Sequence, residues 1–170
     1  MSAIAVQPAG APITDPVAWG ERLAAAYRDI GARTMRGLPI YHDALGVEAI
    51  GFQQMQGNIV GIVVTPWFMN VVTPADGVAS DHLQIHFPAG TFTFTVSEIA
   101  PVGRIASCSL FSPMFEFADM DAARAAAQAA SAELMTACAD DQPRVNGPGK
   151  TRSVIDRRAF LRGSLTESAR

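Results

Sequence analysis

A chain of 170 residues, 49% of them apolar, is long enough for one domain with a sizeable core. No uninterrupted apolar run approaches the roughly 18 residues that span a bilayer, so a membrane span is excluded and a soluble protein is expected. The net charge of -3 is unevenly spread: residues 1–143 hold six basic and fourteen acidic side chains and residues 144–170 seven basic and two acidic, so a body of -8 carries an arm of +5.

Such a body repels phosphate and has no basic stripe interleaved with aromatics, which excludes nucleic acid as a partner. The N-terminus, "MSAIAVQPAGAPITDP", lacks a basic segment and a continuous apolar one, so it is no secretory signal; residues 1–14 read as a loose, Pro-rich leader. A helix is expected from Asp15, a good N-cap, and Pro16, suited to the first helical position. Trp19, Leu23, Ala26, Tyr27 and Ile30 then recur at helical spacing, with Glu21, Arg22, Arg28 and Asp29 on the other side.

From about residue 47 to 112 the period changes to two. In "TFTFTVS", residues 91–97, Phe92, Phe94 and Val96 alternate with hydroxyl residues, the pattern of a half-buried strand. "NIVGIVVT", residues 58–65, is apolar on both faces and reads as central. Further strands are expected at 47–55, 68–73, 82–87 and 103–110, separated by "QGN", "PADG", "PAG" and "PVG". Connections this short permit hairpins but not parallel crossovers.

A second helix follows, capped by Asp119 or Asp121, through "MDAARAAAQAASAELMTACA", with Ala123, Ala127, Ala130, Leu134 and Cys138 as a thin apolar stripe and Pro143 as its limit. The expected architecture is therefore α+β: a two-layer sandwich with an antiparallel sheet of five or six strands flanked by an N-terminal and a C-terminal helix. One domain over 15–142 is followed by a Gly/Pro linker and basic tail, 143–170.

Few residues offer chemistry. His82 and His86 would share a helix face, but on a strand they stand roughly 13 Å apart at about 3.3 Å per residue, too far for one metal ion. His42 is alone in a loop. The two cysteines, Cys108 and Cys138, form neither a CxxC pair nor a disulfide framework, which suits a reducing compartment. Cys108, between two serines, is the one candidate nucleophile and leaves open a small enzyme or redox protein. Neither a nucleophile elbow nor a phosphate-cradling glycine loop occurs, so the expectation is no enzyme, no catalytic residue, no metal and no cofactor.

Large apolar side chains instead cluster beside acids. "TPWFMNVV" holds Trp67, Phe68 and Met69; "LFSPMFEFADMD" sets Met114 and Phe115 beside Glu116, Asp119 and Asp121. Half of these side chains must close a core, since alternate residues of an extended segment face opposite ways. The others would form an adaptable Met/Phe groove with an acidic rim, suited to an apolar segment preceded by arginines.

Four motifs, "TPWFMN", "FPAGTFTFTVSEI", "SCSLFSPMFEFAD" and "RRAFLRG", together resemble the HybE/HupJ family of nickel-iron hydrogenase assembly chaperones, in the family's order and over roughly residues 17–163. The resemblance implies a cytoplasmic accessory protein that binds hydrogenase precursor subunits, the large subunit or the small subunit with its twin-arginine signal, and delays export until the metal centres are installed. Some relatives carry a fused rubredoxin; this chain has no CxxC pair and lacks that iron site. An oligomeric scaffold recruiting other maturation proteins is a further alternative.

Arg157, Arg158, Phe160 and Leu161 reproduce the residue pattern of a twin-arginine export signal, but no apolar stretch follows Leu161 and the motif is far from the N-terminus. Either these residues pin the tail to the domain, or they mimic a signal and occupy the site meant for one. With Trp67, Phe68, Met69, Met114, Phe115, Glu116, Asp119 and Asp121 they make up the expected partner-binding set.

Overall fold

The computed structural model describes residues 13–136. Helix α1, Pro16–Ile30, starts where Asp15 accepts hydrogen bonds from the Val17 and Ala18 amides at 3.0 and 3.2 Å, and Pro16 sits in its first turn. A single π-helical turn, Gly31–Met35, follows and is closed by the Arg36 amide on the Gly31 carbonyl. Six strands then succeed one another: β1 Glu48–Met55, β2 Asn58–Val64, β3 Met69–Pro74, β4 His82–Phe87, β5 Gly90–Ile99 and β6 Gly103–Phe111. Helix α2, Met120–Leu134, closes the described chain, capped by Asp119, which accepts from the Ala122 amide at 2.9 Å.

All pairings are antiparallel, in the order β1-β2-β3-β6-β5-β4. The fold is thus α+β, a six-stranded antiparallel sheet with a helix from each end of the domain. β3 and β6 are the innermost strands, while β2 lies one place from the edge and is nonetheless apolar on both faces. The reason is that each of its faces is covered. Ile59 and Val63 pack with Trp19, Leu23 and Tyr27 of α1, whereas Val60, Ile62 and Val64 pack with Ala123, Ala127, Ala130 and Leu134 of α2. The helices therefore lie on opposite faces, so the sheet is the middle of three layers where a two-layer sandwich was expected, and the small side chains of α2 let it approach the sheet closely.

One bulge decides how α1 is seated. The β1–β2 register slips by a residue between Ile50 and Gln53, at Gly51, whose φ of +64° is the left-handed region that favours glycine. The slip turns Phe52 to the α1 side, where its ring lies 5.7 Å from that of Trp19 and across Gly61 of β2. A Cβ at Gly61 would fall inside the Phe52 ring's envelope.

Helix α2 ends at Leu134, earlier than its alanine-rich sequence implies. The Leu134 carbonyl accepts the Ala89 amide from the β4–β5 turn, and the Thr136 hydroxyl bonds back to the Ala132 carbonyl. Cys138 lies outside the described residues, as do the leader before Ile13 and the linker and tail.

Candidate functional site

Three connections converge at one end of the sheet: residues 36–47 between α1 and β1, residues 65–68 between β2 and β3, and residues 112–119 between β6 and α2. The middle one is wound tightly around Thr65, which is fully buried. Its hydroxyl oxygen accepts the Trp67 and Phe68 amides at 3.2 and 2.9 Å, and the hydroxyl itself donates to the Phe68 carbonyl at 3.0 Å. The turn's outward carbonyls tie it to its neighbours: Pro66 accepts the His42 amide at 2.9 Å, and Trp67 accepts the Ser112 hydroxyl.

His42 joins the outer two connections. Its Nδ1 accepts the Ala44 amide at 3.2 Å, which leaves the ring proton on Nε2, and that N–H donates to the Phe117 carbonyl at 2.8 Å. The imidazole then stacks on Phe115 at 5.7 Å with 29° between the planes. Phe115 is 55% exposed, an aromatic ring held out in solvent by a fixed support. Leu38 and Ile40, 45% and 43% exposed, project from the connection that carries His42. Exposed apolar side chains scattered singly need no explanation, but three of the four large ones among the described residues lie on two adjoining loops.

The charge around this cluster is acidic. Asp43, Glu116, Asp119 and Asp121 are all exposed, while Arg28 of α1 donates to the Val47 carbonyl at 3.2 Å in the connection that carries Asp43. The cation of α2, Arg124, is held by the two oxygens of Glu48 at 2.9 and 2.8 Å and by Asp121 at 2.6 Å. Its hydrogen bond to Glu48 lowers that carboxyl below its ordinary range against the opposing effect of burial. The tether anchors the start of α2, and with it the 112–119 connection, to β1.

The expected partner-binding residues divide accordingly. Phe115, Glu116, Asp119 and Asp121 are exposed and Phe68 is half-buried, edge-on to Tyr27 at 5.2 Å. Trp67, Met69 and Met114 are interior, which corrects the expectation of an exposed groove built from them. The Thr65 turn folds Trp67 back between Tyr27 and Tyr41, and Met69 and Met114 join the α2-side core with Phe111 and Phe117. Arg157, Arg158, Phe160 and Leu161 lie outside the described residues. The sequence reading missed Leu38, Ile40, Tyr41, His42 and Asp43; the signal lay in "GLPIYHD", where apolar residues flank a proline in a stretch of loop composition.

Cys108 is not set up as a nucleophile. Burial pushes its thiol up, and its side chain joins the α2-side core, whereas His82 and His86 project from the opposite face of β4, His86 bonded to the Thr91 hydroxyl at 2.7 Å. Among the described residues no three His, Cys, Asp or Glu side chains gather as metal ligands, and no helix is long and apolar enough to cross a membrane.

Residues 18–163 match the family model "[NiFe]-hydrogenase assembly, chaperone, HybE". The chain is 61% identical over 160 residues to the hydrogenase expression/formation protein HupJ of Bradyrhizobium diazoefficiens, covering 92% of this chain and 94% of that one. It is 35% identical over 151 residues to the hydrogenase expression/formation protein HupT of Azotobacter chroococcum, covering 85% and 95%. The solution structure of HybE from Escherichia coli superposes with a TM-score of 0.57 at 24% identity, over 78% of this chain and 88% of that one, a likeness of fold.

Proposed function

The chain belongs to the HybE family of [NiFe]-hydrogenase assembly chaperones, and from that premise we infer that the Phe115 surface is where it holds a hydrogenase precursor in the cytoplasm until the metal centres are in place. The single observation that carries this reading is the placement of Phe115: an exposed ring stacked on His42, on a loop tied to the one that also exposes Leu38 and Ile40, with the exposed Glu116 and Asp43 next in sequence to the two stacked rings. A pre-positioned aromatic loses little freedom on binding, which is what makes such residues anchors of interfaces.

The chemistry selects the ligand. Apolar side chains next to carboxylates fit a segment in which a pair of arginines precedes an apolar run, because guanidinium pairs well with carboxylate while the run covers the aromatic. A twin-arginine export signal has that order, so the proposed ligand is the signal-bearing small-subunit precursor. Binding would be steric protection and would require no catalysis.

The test is titration of the full chain with a synthetic twin-arginine signal peptide. Phe115→Ala should weaken binding about tenfold, a loss typical of an interface anchor. Glu116→Gln with Asp119→Asn should weaken it and flatten its salt dependence, asparagine being able to keep the α2 cap. Unaltered affinity in both variants would remove this surface from the role.

A further inference from the structure

Arg157, Arg158, Phe160 and Leu161 remain unused by the site as described, and they have the pattern of the proposed ligand. The geometry points to the chain's own residues 153–163, "SVIDRRAFLRG", as an occupant of the Phe115 surface, an internal competitor that a precursor's signal must displace. The inference rests on the reading of that surface as the signal site.

Charge complementarity is the first argument. The described residues 13–136 carry twelve acidic and six basic side chains, whereas residues 144–170 carry two and seven, so an acidic body faces its own cationic segment. Near Phe115 in sequence or on the loop that supports it, Asp43, Glu116 and Asp119 are exposed and make no ion pair among the described residues, whereas Asp121 is paired with Arg124. Arg157 and Arg158 supply the guanidinium pair, and Phe160 and Leu161 the apolar part for Phe115, Leu38 and Ile40.

Reach is the second argument. α2 runs from Asp119, beside the site, to Leu134 at the β4–β5 turn, a span of about 22 Å at 1.5 Å per residue. The sixteen steps from residue 137 to residue 153 extend to at most about 55 Å, more than twice what the return requires. A segment so tethered acts at an effective concentration of about 1 mM, enough for a weakly binding tail to hold off a stray peptide but not a tight one.

The experiment uses the full chain, wild type and with Arg157→Ala and Arg158→Ala together, its folding checked by circular dichroism. Amide resonances of His42 and residues 115–119 should shift in the variant and be restored by adding a synthetic peptide of residues 153–163. Signal peptide should bind the variant about three- to tenfold more tightly. Resonances at the site that move neither with the variant nor with the added peptide would overturn the docking, and an unchanged or weakened signal affinity would overturn the competition. Should the signal peptide bind neither chain while the tail peptide shifts the site, the ligand assigned above is wrong and the docking of the tail stands.

Discussion

At the scale of single residues, His42 does what its isolation in the sequence conceals: its ring joins two loops and its backbone amide ties in a third. Its amide, Nδ1 and Nε2 are each engaged, and its face supports Phe115. His42→Ala should cost about 1–2 kcal/mol in a urea titration, because the Phe117 carbonyl loses its donor, and should speed amide exchange at residues 115–117. Unchanged exchange there would show that Phe115 is held by something else. Cys108 gives a pH-dependent check. Burial raises its pKa, so folding favours the neutral thiol; this contribution is complete below the unfolded value and is lost as pH rises through the folded one. In a Cys138→Ser chain, Cys108 should be alkylated more slowly than a free thiol near neutral pH and accelerate on unfolding. Fast alkylation in the folded chain would revive a nucleophilic role.

At the scale of elements, one long-range polar tie is the fork from Arg124 to Glu48, which joins α2 to β1 across 76 positions of sequence. Glu48 has a depressed pKa in the folded chain, so its stabilisation is present above the unfolded carboxylate value and disappears as pH falls through the folded one. Glu48→Gln should therefore lower stability at neutral pH and converge on wild type in acid, read as denaturation midpoints across pH; a difference that persists in acid would assign the loss to packing. The elements themselves were legible because apolar alternation and short turns leave few solutions: "TFTFTVS" is the middle of β5, Asp15 caps α1, and of the two candidates Asp119 and Asp121 it is Asp119 that caps α2. The bulge at Gly51 was not legible, since Phe52 reaches the α1 side only through tertiary packing with Trp19 and Gly61. Nor was the burial of Trp67, which depends on the four-residue turn 65–68 and on two tyrosines distant in sequence. Phe115 and its acids could be found as a composition; "GLPIYHD" marks Leu38 and Ile40 as apolar residues in a loop but not as exposed ones, because such a residue looks the same whether it is later covered or left in solvent.

At the scale of the molecule, the sheet is shared by two cores that touch only through it. Val63 faces α1 while Ile62 and Val64 face α2, so displacing the β2 backbone on one side must disturb the other. Both tryptophans of the chain, Trp19 and Trp67, belong to the α1 side, which makes their fluorescence a reporter for one core alone. Ala127, fully buried against the opposite face, is the place to perturb: Ala127→Leu forces a larger side chain into close helix–sheet packing and should cost about 1–3 kcal/mol. If the sheet makes the domain one cooperative unit, urea transitions followed by tryptophan fluorescence and by far-ultraviolet circular dichroism will coincide and move together in the variant. A fluorescence transition left in place while the helical signal shifts would mean that α2 releases separately. In that event the 112–119 connection, which α2 anchors, could open without unfolding α1, and the Phe115 surface would be gated rather than rigid.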